Sequence, residues 1–122
     1  MIDNETLKQI NIDSYKKTSK FNVIKEYHGN LSDFDARLYD IDGVKVICYV
    51  GTTGVRDILT DLALPFAKLP IHYKHGEQFL QDTIKLCSEI IITGHSLGGS
   101  IAQMLGGKYG ITTICFPPLE RT

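Results

Sequence analysis

Apolar and polar positions divide the chain into alternating strand-like and helix-like stretches. Residues 4–17 set Leu7, Ile10 and Tyr15 loosely on one face, which predicts an opening helix capped by Asn4. Residues 18–34 are polar and mixed, and read as a connector with one short strand at 21–24. A hairpin follows. Residues 36–41 alternate as an exposed strand does, Asp42-Gly43 is a type I′ turn signal, and residues 44–50 are largely apolar. Residues 56–64 carry a helical pattern that Pro65 is expected to stop, and residues 70–74 read as a loop. Residues 75–87 form an amphipathic pattern with Phe79, Leu80, Ile84, Leu86 and Cys87 toward a core.

The last third is the most regular. Residues 89–93 read as a buried strand and 97–106 as a helix of small residues, broken by Gly106-Gly107 and Gly110. Residues 111–116 form a final β-branched strand that Pro117-Pro118 stops. Strands alternating with helices after a hairpin predict an α/β fold with a mixed, mostly parallel sheet. At 122 residues the chain is one domain with a core of modest size, and residues 1–34 read as its helical or irregular N-terminal extension.

The junction between the 89–93 strand and the next helix carries chemistry. Gly94-His95-Ser96-Leu97-Gly98 has the spacing of a nucleophile elbow, a sharp strand-to-helix turn that lifts a serine hydroxyl above the sheet. A β-branched run precedes it, and Gly98, Gly99, Ser100 and Ala102 follow, as a helix passing close to its own strand requires. The alternative is a plain glycine-rich turn holding a structural serine. An acyl-transfer serine needs donors aimed at the developing oxyanion. One is the backbone N–H of the residue after the nucleophile, here Leu97. The loop at 51–54, Gly-Thr-Thr-Gly, offers a second through Thr52, although a simple Gly-Thr turn reads equally well without the elbow.

A serine nucleophile also needs a base and an acid, which in elbow enzymes follow it in the chain. The 26 residues after Ser96 contain no Asp and no His, and Glu120 is their one acid. The base and acid of a triad are therefore expected from a longer native polypeptide, another chain or an oligomeric neighbour.

Val50-Gly51-Thr52, then Asp57 and Asp61, then His75-Gly76, then Thr93-Gly-His-Ser-Leu-Gly-Gly99 resemble the class 3 (fungal-type) lipases of the α/β-hydrolase superfamily, over roughly residues 36–118. The resemblance implies an α/β-hydrolase-like sheet, truncated after the strand that follows the nucleophile helix. It implies Ser96 as nucleophile and Thr52 as part of the oxyanion hole. It also implies an ester or lipid substrate and no cofactor. Val50 stands where that family usually has arginine, and the family's acid and base sit on later strands and loops.

Charge and composition narrow the remainder. Thirteen basic and fourteen acidic residues give a net charge of −1, with no electrostatic footprint for nucleic acid. No apolar run has the length of a membrane span, and the polar, acidic N-terminus is unlike a secretory signal, so a cytoplasmic location is expected. Cys48, Cys87 and Cys115 read as reduced core thiols. His95 neighbours the serine and is expected to pack beside it with local hydrogen bonds rather than act as its base. His75 reads as structural, and His28 would serve as a surrogate base only after rearrangement. His72 and His75, at i and i+3, lack the further ligands a metal needs. Asp57 and Asp61 share a helix face and read as solvated or loop-anchoring acids. The strand at 111–116 carries no charge to guard its edge, which predicts self-association or a complementing chain. Two readings stand: a lipase-like serine ester hydrolase, and an inactive remnant or interaction module on the same fold.

Overall fold

A computed structural model describes residues 2–28, 35–50, 63–86, 89–95 and 97–116, with the side chains of 63–70 excepted. Helix α1 (Asn4–Asp13) opens the chain, followed by strands β1 (Val23–His28), β2 (Asp35–Ile41) and β3 (Val44–Val50). Helix α2 (Ala63–Ile84), strand β4 (Ile90–His95), helix α3 (Leu97–Tyr109) and strand β5 (Thr113–Phe116) complete it. The strands form one sheet in the order β1-β2-β3-β4-β5. The β1/β2 and β2/β3 pairs are antiparallel, whereas β3/β4 and β4/β5 are parallel. The expected mixed α/β sheet is present, and its parallel half carries the strand-to-helix junction of interest.

Helices cover both faces. Leu38, Ile47, Tyr49 and Ile92 pack with Phe79 and Leu80 of α2 and Ile101, Ala102 and Leu105 of α3. On the other face Tyr39, Val46 and Cys48 pack with Leu7 and Ile10 of α1. This two-sided cover corrects the reading of residues 36–41 as an exposed strand: Ala36, Arg37, Leu38 and Tyr39 are all buried. The hairpin turn is as expected. Asp42 and Gly43 have φ of 52° and 89°, the paired positive values of a type I′ turn.

Local signals misplace several boundaries. The first cap is Asp3, whose carboxylate accepts from the Thr6 N–H at 2.8 Å, and the helix stops at Asp13 rather than near residue 17. The connector strand occupies 23–28 rather than 21–24, because pairing with β2 orders six residues that lack a strand-like apolar pattern. Neither Pro65 nor Pro70 interrupts α2, so the expected stop and the expected loop at 70–74 are replaced by one helix of 22 residues. Pro65 falls in the first turn, where a missing N–H has no intrahelical partner to lose. Pro70 removes one interior hydrogen bond. Burial of His72, Phe79, Leu80 and Thr83 farther along the helix offsets that loss.

Helix α3 likewise runs through Gly106-Gly107 to Tyr109. Gly106 is where the helix meets β5, since a Cβ there would fall inside the Thr113 side chain. The Ile111 N–H donates to the Gly106 carbonyl at 3.0 Å, and Gly110, at φ 65°, ends the helix in the left-handed conformation. Thr52, the 51–54 loop, the 56–62 part of the expected helix, Asp57, Asp61, Cys87, Ser96, Pro117-Pro118 and Glu120 lie outside the described residues.

Candidate active site

β4 runs from Ile90 to His95 and α3 from Leu97 to Tyr109. Their backbones are in close contact. A Cβ on Gly94 would lie 2.6 Å from the Gly98 carbonyl oxygen and 2.9 Å from the Gly99 nitrogen, nearer than real Cβ atoms come. Glycine at 94 is thus required by packing of the helix start against the strand. Leu97 and Gly98 are both buried in the first turn of α3. As the first helical residue, Leu97 has a backbone N–H with no intrahelical acceptor.

A buried polar latch holds β4 from the α1 side. Asn11 Nδ2 donates to the Leu7 carbonyl at 2.8 Å and to Thr93 Oγ1 at 2.9 Å. The Thr93 hydroxyl in turn donates to the Ile114 carbonyl at 2.7 Å, and the Cys48 thiol donates to Asn11 Oδ1 at 3.4 Å. One asparagine therefore ties α1 to β3 and β4, and through Thr93 to β5. Burial pushes the Cys48 thiol up to about 12, so it acts here as a neutral donor. Cys115 is also a free thiol and donates to the Gly99 carbonyl at 3.3 Å.

A second cluster fixes the end of α1. The Asp13 carboxylate, with no exposed side-chain surface, accepts from Ser19 Oγ at 2.5 Å, the Lys20 N–H at 2.9 Å and Tyr39 Oη at 2.9 Å, with Arg37 Nη1 at 3.5 Å. Burial alone would raise its pKa, but those three hydrogen bonds and the Arg37 charge outweigh it and hold the carboxyl below its ordinary value. Neither Asn11 nor Asp13 was singled out by the sequence, because their partners lie far along the chain and no local pattern marks them.

His95 faces α1. Its ring lies 4.9 Å from that of Tyr15, centroid to centroid, at 34°, and is 2% exposed. It packs against Tyr15, and the expected local hydrogen bonds are missing: neither ring nitrogen has a partner among the described residues. Desolvation lowers its pKa and keeps the ring neutral. Below about pH 6.5 the unfolded chain binds a proton here that the folded chain does not, so stability falls on acidification, by up to about 1.4 kcal/mol per pH unit. Denaturant titrations at pH 7 and pH 5.5 check this: His95→Phe is expected to lose less stability between the two than the parent. His28, raised by its hydrogen bond to Asp35, has the opposite sign in both proteins and cancels in that comparison.

His72 and His75 sit on α2, with His75 5.5 Å from the Tyr27 ring. His28 ends β1 with Nδ1 3.0 Å from Asp35 Oδ1. His28, Asp35, Val50 and His95 are successive cross-strand partners, so His28 stands three strands from His95, about 14 Å away. That is too far for direct proton transfer between them. No helix among the described residues is long and apolar enough to cross a membrane.

With this geometry in view, the family model of the Tle-like phospholipase domain, described as phospholipase-like, matches residues 4–117. The chain belongs to this family. The solved structures similar to this Tle-like phospholipase domain include fungal lipases, in agreement with the lipase resemblance of Thr93–Gly99. One is the propeptide complex of a deletion mutant of Rhizomucor miehei lipase, at 17% identity and a TM-score of 0.59, covering 95% of this chain. Another is a fungal lipase–inhibitor complex, at 16% identity and a TM-score of 0.51, covering 88% of this chain. At such identities the likeness is one of fold. The chain spans 52% and 57% of the two lipases' lengths, respectively. No curated protein matches the chain.

Proposed function

We propose that this domain is the nucleophile-bearing part of a serine ester hydrolase acting on phospholipid or related acyl esters. The observation that carries the reading is the junction itself. A central parallel strand ends at His95, a helix starts at Leu97, and Gly94 lies too close to the Gly98 backbone to carry a side chain. The family membership supports a lipid ester as the substrate class. In this reading Ser96 attacks the ester carbonyl, and the backbone N–H groups of Leu97 and Thr52 stabilise the oxyanion. The general base and its orienting acid come from beyond these 122 residues or from a second chain. The outer edge of β5 is the place for such a complement, or another copy, to pair, since β5 ends the sheet among the described residues.

Fluorophosphonate labelling tests the reading. In the protein as its gene encodes it, the probe is expected on Ser96. Ser96→Ala is expected to lose labelling together with about 10⁴-fold or more of phospholipid hydrolysis. The 122-residue chain alone is expected to label slowly, because its sequence carries no Asp or His after Ser96 to complete a triad. Hydrolysis that survives Ser96→Ala would overturn the assignment of the nucleophile. Absence of both labelling and hydrolysis favours the non-catalytic interaction module.

A further inference from the structure

A half-open cavity of about 260 Å³ lies on the α1 side of the sheet, at the end where β3 and β4 finish. The turn after α1 forms one wall, and β1, β2 and the end of β3 form the other. Its near side adjoins the candidate active site twice over: Tyr15 packs on His95, and Val50 is the register partner of His95.

The charges in this cavity are not balanced in place. Its two acids are already engaged. Glu26 Oε1 lies 2.8 Å from Arg37 Nε, and Asp35 Oδ1 lies 3.0 Å from His28 Nδ1. Lys16 and Lys17 also line the cavity, both exposed, and neither ammonium has an acid partner among the described residues. The Lys16 backbone is nonetheless fixed, since its carbonyl accepts from Arg37 Nη2 at 2.5 Å. Among the described residues the outcome is a small, polar, half-enclosed space with two unpaired cations on its rim and no unpaired carboxylate.

We propose that this cavity binds the phosphate of an anionic glycerophospholipid headgroup while the acyl ester lies at the junction after His95. The assignment rests on the ester-hydrolase reading given above and names the substrate within it. A glycerophospholipid carries its phosphate one glycerol spacer away from its acyl esters, so a phosphate site must border the nucleophile, as this cavity borders His95. Two lysine ammoniums supply charge-assisted hydrogen bonds to phosphate oxygens. The headgroup is anionic overall, because the cavity's described residues offer no free carboxylate for a choline or ethanolamine nitrogen, and Lys16 and Lys17 repel one.

Calorimetric titration of the full chain carrying Ser96→Ala keeps turnover out of the test. Dihexanoyl phosphatidylglycerol, below its micelle concentration, is expected to bind saturably. Lys16→Ala with Lys17→Ala is expected to weaken it about tenfold or more. Both side chains are exposed and the Lys16 carbonyl survives the change, so the fold is retained. Lys85→Ala, ahead of β4 at its opposite end, is expected to leave binding unchanged. Dihexanoyl phosphatidylcholine is expected to bind more weakly and to be indifferent to the lysine pair. Equal affinity of parent and double variant for phosphatidylglycerol overturns the site. Phosphatidylcholine bound as tightly as phosphatidylglycerol overturns the anionic preference. Inorganic phosphate bound as tightly as the lipid, and displacing it, overturns the headgroup and assigns a free-phosphate site. The hydrolase reading fails by a different measurement, loss of probe labelling at Ser96, which headgroup binding does not enter.

Discussion

Gly94→Ala is expected to cost about 3 kcal/mol or more and to lower the melting temperature by about 10–20 °C. The added methyl would stand 2.6 Å from the Gly98 carbonyl oxygen and 2.7 Å from its carbon. Both are backbone atoms of the first turn of α3, and no rotamer change moves them aside. The strand and helix must part, and Leu97 moves with the helix. Gly107→Ala supplies the contrast within the same helix: nothing lies within 4 Å of its Cβ position, and it is exposed. There alanine is expected to stabilise by about 0.5–1 kcal/mol through helix propensity. Thermal melts of the two variants against the parent check both signs. A Gly94→Ala protein as stable as the parent would mean that strand and helix do not meet as described.

Removing the Asp13 carboxylate is expected to cost about 3 kcal/mol or more, because three donors lose their acceptor at about 1–3 kcal/mol each. Asp13→Ala strips acceptors from Ser19, the Lys20 amide and Tyr39 together, and leaves Arg37 with the Asp13 and Lys16 carbonyls and Glu26. Asp13→Asn is expected to be harmful as well, because it removes the charge facing Arg37 and turns an N–H₂ toward the guanidinium or the Lys20 N–H, which only donate. The pH dependence has a definite sign. The folded pKa lies below the unfolded value, so this stabilisation is present above the unfolded carboxyl's pKa and is lost as pH falls through the folded one. Urea midpoints of parent and variant, measured from neutral pH downward, should therefore converge in acid.

These two sites differ in how far the sequence announces them. The junction is written locally. Three consecutive isoleucines predict a strand buried on both faces, and position 94 is glycine because the first turn of α3 leaves no room there for a side chain. Asp42-Gly43 is equally local, since a type I′ turn needs two positive φ angles and this pair tolerates them. The fold class follows from such signals, each contained within about ten residues.

Tertiary contacts settled the rest. Residues 23–28 form a strand because β2 offers a hydrogen-bonding edge, not because of their own apolar pattern. α2 passes Pro65 and Pro70, and α3 passes Gly106-Gly107, because packing against the sheet outweighs a propensity penalty of a few kcal/mol. Asn11 meets Thr93 across 82 residues, Asp13 meets Arg37 across 24, and Tyr15 comes to lie on His95. No periodicity encodes these pairings, since each depends on where α1 lands on the far face of the sheet. The serine and its glycines were therefore legible in one stretch of sequence, while the latch behind them and the lysine-rimmed cavity beside them arose only when distant segments were brought together.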